Sequence, residues 1–220
     1  MHLHTATIKF PEIQLAARDA HKLRGYFGNL FKEKSELLHN HYADGSTRYK
    51  YPLVQYKVIK SVPTLLGVGE GARLLINLFL KIRELNIENT VYPVHSKNIK
   101  GEETDLSPLS ELHQYRFETL WMALNQKNYE LFQNIKDKEE QNRFLNKQLI
   151  NNVLSFYKGI DYRVSQQIMA TGNFKPKMTN FKNKKMLAFE GTFVSNAVIP
   201  DGVGIGKAVS RGFGTVCVIK

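Results

Sequence analysis

Only one cysteine, Cys217, occurs in 220 residues. Its solitude excludes an internal disulfide framework and any zinc site built on several thiolates. Long apolar runs are absent as well: none approaches the roughly 20 residues that span a bilayer, and Met1 to Phe10 has no apolar core of a secretory signal. A soluble, cytoplasmic protein without a membrane partner is expected. Acidic residues are scarce, 20 Asp plus Glu against 31 Lys plus Arg, which leaves a formal net charge of +11. Such an excess draws polyanions by steering and counterion release, so the expected partner is a nucleic acid or an anionic surface. Core-forming material is plentiful, with 42% hydrophobic and 11% aromatic residues, enough for one large domain or two of about 100 residues each.

The apolar pattern divides the chain. Ala6, Ile8 and Phe10 alternate with Thr5, Thr7 and Lys9, the period of a half-buried strand. From Leu15 to Phe31 apolar residues recur every three or four positions, predicting a helix that Gly25 and Gly28 weaken. Pro52 to Ile59 and Thr64 to Val68 read as a hairpin, Gly71 to Ile87 as an amphipathic helix, and Thr90 to Val94 as a strand. The first half thus reads β-α-β-β-α-β. Ser96 to Glu111 has Gly101, Pro108 and little apolar bulk and reads as a boundary. We expect domains at 1–98 and 113–220 with a linker at 99–112. In the second, Tyr115 to Leu124 predicts a strand, Gln141 to Tyr157 a helix, and the remainder mostly strands, an α+β unit. Net charge is +5 over residues 1–95, −1 over 96–150 and +7 over 151–220. The last third is therefore the basic one, with Lys175 and Lys177 interleaved with Phe174 and Phe181 as in surfaces that stack and neutralise single strands.

Two segments carry chemistry. The string GVGIGKAVSRGFG sets Gly202, Gly204, Gly206, Gly212 and Gly214 around Lys207, Ser210 and Arg211. Glycines admit close backbone approach and expose N–H groups to phosphate oxygens, so this segment is expected to hold a nucleic-acid backbone. It is not a Walker motif, because Asp201 occupies the first glycine position and Ala208 follows Lys207; nor is it a dinucleotide fingerprint, because Val209 replaces the third glycine. The other segment, residues 37–57, holds His39, His41, Tyr42, Tyr49, Tyr51 and Lys57. RNA cleavage through its own 2′-hydroxyl needs a base, an acid and a cation for the phosphorane. Histidine, which titrates near neutrality, suits both proton roles without a metal or cofactor.

These residues also carry a likeness. HKLRGYFGNLF at His21 to Phe31, LLHNH at Leu37 to His41, RYKYPLVQYK at Arg48 to Lys57 and the closing GIGKAVSRGFGTV resemble the CRISPR-associated endoribonucleases that process precursor CRISPR RNA, within the repeat-associated RAMP superfamily. The closest-looking branch is the one found in methanogens and some bacteria. The resemblance implies tandem ferredoxin-like (RRM-like) domains, metal-independent cleavage of CRISPR repeat RNA, and His39, His41 and Tyr49 as the catalytic residues, with Tyr51 or Tyr42 as alternatives for the tyrosine. The RNA-binding set is Gly204, Gly206, Lys207, Ser210, Arg211, Gly212 and Gly214, joined by Lys57, Arg24, Lys175 and Lys177 on charge. Proteins of a CRISPR effector complex are further expected partners of a monomer or homodimer. A non-catalytic RNA-binding subunit on the same fold is the alternative reading.

Overall fold

The computed structural model describes residues 1–31, 51–106, 111–181 and 184–219. Their contacts define two compact units: His2–Thr104 with Ser210–Gly212, and Met1, Asp105–Val209 and Phe213–Lys220.

The first unit runs β1 (His2–Lys9), α1 (Ala20–Leu30), β2 (Val54–Ile59), β3 (Val62–Val68), α2 (Glu70–Leu78), β4 (Glu84–Ile87), β5 (Thr90–Pro93) and β6 (Asn98–Asp105). Its main sheet has the order β2-β3-β1-β6, which is the ferredoxin-like arrangement with β6 as the fourth strand. Strand alternation makes the sheet two-faced. Ala6, Ile8, Val54, Tyr56, Val58 and Leu65 are buried in register on one face, where Ile8, Tyr56 and Leu65 join Leu23 and Phe27 of α1 and Leu75 and Leu78 of α2 in the core. On the other face Thr7, Leu66 and Gln55 form one row and Lys9, Thr64 and Lys57 the next. The β2–β3 turn at Lys60 and Ser61 has positive φ at both positions (49° and 65°), the twist that two-residue hairpins favour.

Two expectations change here. The helix predicted to reach Ile87 stops at Leu78 and, after a single 3₁₀ turn, becomes the β4–β5 hairpin. Ile82 and Leu85 fit a helical stripe, but Leu85 and Ile87 fit strand alternation equally well, and their burial follows the strand. Residues 98–105, read as the end of the first domain and the start of the linker, are instead β6, a strand that closes the first sheet. Nearly all of its side chains are exposed.

The second unit contains β7 (His113–Phe117), α3 (Gln126–Asn134), α4 (Lys138–Gly159), β8 (Ala170–Phe181), β9 (Lys184–Ser195) and β10 (Val216–Ile219), in the sheet order β10-β7-β9-β8. That is the same ferredoxin-like order with one substitution. Where the second crossover helix would run, between β9 and β10, the chain carries the glycine-rich segment and one 3₁₀ turn at Val209–Arg211. Both helices are capped by their own side chains: Asn125 accepts from the Asn128 amide at 2.8 Å and Asp137 from the Glu140 amide at 2.7 Å. The core is aromatic. Trp121, wholly buried, stacks on Phe117 at 5.1 Å, meets Phe174 at 4.9 Å, and donates its indole N–H to Asn152 of α4 at 3.0 Å.

Candidate RNA-binding and catalytic site

The glycine-rich segment is first of all architecture. Several of its backbone donors are bonded to the second unit's own carbonyls: Ile205 to Gly214 at 2.9 Å, Lys207 to Met122 at 2.9 Å, Gly214 to Leu120 at 2.9 Å and Gly202 to Val216 at 2.8 Å. An open cradle of phosphate-facing N–H groups, expected from the glycines, is therefore not what these amides form. The glycines answer to packing. A Cβ on Gly206, at φ +98°, would lie 2.7 Å from the Trp121 ring nitrogen, and one on Gly214, at φ +64°, would lie 1.9 Å from the Ile205 carbonyl oxygen. Gly204 is buried and bridges to Thr215. What the segment offers outward is the exposed Lys207 side chain and the half-buried Ser210 and Arg211.

Ser210–Gly212 group with the first unit, and the reason is steric. A Cβ on Gly212 would sit 3.1 Å from the Ala20 methyl and 3.2 Å from the Tyr56 carbonyl oxygen, beside Lys57. This close approach brings Arg211 to Arg24 on α1. Burial and the field of Arg24 both depress the Arg211 pKa, while Arg24 is depressed by burial and supported by Tyr56. These two half-buried guanidiniums bring two of the predicted cationic residues together.

On β2 the polar row is also built. Gln55, fully buried, donates from Nε2 to the Tyr51 hydroxyl at 2.7 Å and to the Pro52 carbonyl at 3.3 Å. Burial raises the Tyr51 phenol well above its usual range, opposed by the Gln55 bond. Gln55 was not among the residues singled out from the sequence, although a glutamine inside an apolar strand run marks the polar face. Lys57 is fully buried as well, so it does not stand open to a phosphate as its charge suggested; desolvation lowers its pKa from 10.5 to about 7. Because the folded pKa lies below the unfolded one, the unfolded chain binds more protons between these values. Stability should then rise with pH from about 7 to about 10, with a slope approaching 1.4 kcal/mol per pH unit. Urea midpoints across that range should show the rise in the wild type and lose it in Lys57→Met.

Lys175 and Lys177 are exposed on β8, and Lys177 reaches Glu190 at 3.4 Å, a surface pair of small energy. Phe174, read as a ring for stacking bases, is instead packed on Trp121 and Phe117, and Phe181 meets Phe213 edge-on at 5.7 Å. His39, His41, Tyr42 and Tyr49 lie outside the described residues. Among the described residues no cluster of three or more His, Cys, Asp or Glu could hold a metal ion, and no helix is long and apolar enough to cross a membrane.

Two family models cover nearly all of this: the Cas6b N-terminal domain matches residues 1–105 and the Cas6b C-terminal domain residues 108–219. The chain belongs to the Cas6b family. An uncharacterized protein of Methanocaldococcus jannaschii is 34% identical over 144 residues, 65% of this chain and 97% of its own. A crystal structure of Cas6b superposes over 100% of both chains with 37% identity and a TM-score of 0.93. That of a CRISPR RNA processing endoribonuclease Cas6b does so at 33% identity and 0.80. A RAMP protein binding different RNA substrates, at 12% identity and 0.57, shares the fold. The tandem ferredoxin-like reading and the family resemblance both hold within Cas6b.

Proposed function

We propose that the protein is a CRISPR RNA processing endoribonuclease that cuts repeat RNA by attack of the 2′-hydroxyl on the adjacent phosphate, leaving a 2′,3′-cyclic phosphate and a 5′-hydroxyl. The observation that carries the reading is full-length likeness, at 33% identity, to a CRISPR RNA processing endoribonuclease Cas6b; the 2′-hydroxyl chemistry rests on the histidines. His39 and His41 exchange the two protons, and Tyr49, or else Tyr51 or Tyr42, steadies the phosphorane. Arg24 and Arg211 supply the positive charge that a dianionic transition state needs. Tyr51, held by Gln55, lies just past His39 to Tyr49 in the chain. Proton transfer by histidine requires no metal, so the activity should persist in EDTA.

The test is incubation of purified protein with a cognate repeat transcript in EDTA, followed by end-group analysis. Cyclic-phosphate and 5′-hydroxyl ends are expected. Tight binding without cleavage would instead favour an RNA-binding subunit, and cleavage only with added divalent ion would refute the histidine chemistry. Lys207→Ala and Arg211→Ala should each weaken RNA binding and lower the salt slope of log K by about one unit per lost phosphate contact. Filter binding across a salt series reads this directly, and an unchanged slope removes the residue from the contact set.

A further inference from the structure

Helix α1 has an unexplained glycine. Gly25 sits mid-helix, where glycine is disfavoured, yet a Cβ there would meet nothing within 4 Å, so packing does not demand it. Gly25 lines an open groove of about 540 Å³ between α1 and the β4–β5 hairpin. That hairpin is an addition to the β-α-β-β-α-β plan, and it is fixed to α1 at two points. Tyr26 donates its hydroxyl to the Glu84 carbonyl at 2.9 Å, and Lys22 bridges Asp19 at 2.6 Å and Glu88 at 2.7 Å.

The lining specifies the ligand. The lining includes the aromatic Tyr26, the apolar Ile87, which is otherwise buried in the core, and Asn29 and Asn86, both exposed residues that carry carboxamides. Carboxamides pair with the donor and acceptor edge of a base, and a ring packs against its face. The groove's cation, Lys22, is committed to two carboxylates, so a phosphate finds no net positive charge there. Its size is in the range that admits a small planar ligand.

We propose that this groove captures one unpaired nucleobase of the bound RNA, with Gly25 keeping the helix surface clear for it. The proposal rests on the reading that the chain binds repeat RNA. Gly25→Leu fills the space and suits the helix, so the RNA-free variant should melt at least about 2 °C higher. Its Kd for the repeat transcript should rise about 10-fold. An abasic scan of the transcript should reveal one unpaired position at which base removal costs the wild type about 10-fold and costs Gly25→Leu nothing further. The proposal is overturned if Gly25→Leu binds the intact transcript like the wild type, or if the two losses multiply. If the wild type binds and cuts but the variant is unaffected, the groove alone fails; if the wild type neither binds nor cuts repeat RNA, both readings fall.

Discussion

Alanine at His39 or at His41 is expected to lower single-turnover cleavage of the repeat transcript by about 10²–10⁴-fold, the usual worth of a positioned proton-transfer group, with Kd essentially unchanged. The 2′-hydroxyl is a poor nucleophile until its proton is removed, and the 5′-oxygen a poor leaving group until it receives one. An imidazole titrating near pH 6.5 can serve either step at neutral pH. If the two histidines divide these roles, the wild-type rate against pH is bell-shaped, and each single variant loses one limb. The double variant should then be scarcely slower than the worse single one, because groups acting as a unit are not additive. Equal losses in Kd and rate would assign the histidines to binding. Near-wild-type rates in both variants would move the proton chemistry to other residues.

How far this site was legible in the sequence depended on whether burial left a pattern. β1, α1 and the β2–β3 hairpin were readable because their buried side chains repeat with the period of the element: Ala6 and Ile8 on one face of a strand, Leu23 and Phe27 on one face of a helix. β6 was not, since Asn98–Asp105 buries almost nothing and hydrophobic periodicity has nothing to register. α3 was missed for a related reason, Phe132 being its one buried residue. Lys57 was visible as a charge, but charge does not report depth. The strand alternation that buries Tyr56 toward α1 sends Lys57 to the opposite face with Gln55 and Thr64, and all three are buried there. The histidine and tyrosine assignments came from likeness to a family and from imidazole chemistry, neither of which is a pattern of burial.

The glycine string shows a subtler limit, since its composition was plain while its purpose was ambiguous between holding a ligand and permitting close packing. Gly214→Ala separates the two. At φ +64° an alanine is already strained, and its Cβ would have to occupy a point 1.9 Å from the Ile205 carbonyl oxygen, a backbone atom that cannot swing aside. The Ile205 amide is bonded to the Gly214 carbonyl at 2.9 Å, and the Gly214 amide to Leu120 at 2.9 Å, so relief by shifting the loop breaks the bridge that replaces the missing crossover helix. A loss of about 3 kcal/mol or more is expected, a fall in Tm of roughly 10 °C. Gly101→Ala, where a Cβ meets nothing within 4 Å, is the internal control and should leave Tm within about 2 °C. If Gly214→Ala also melts like the wild type but loses RNA affinity, the cradle reading is restored and the packing reading fails. If it melts early, lost RNA binding in that variant reflects a damaged fold, and contact with the RNA backbone is measured through Lys207, whose exposed side chain can be shortened while the loop's backbone bonds stay in place.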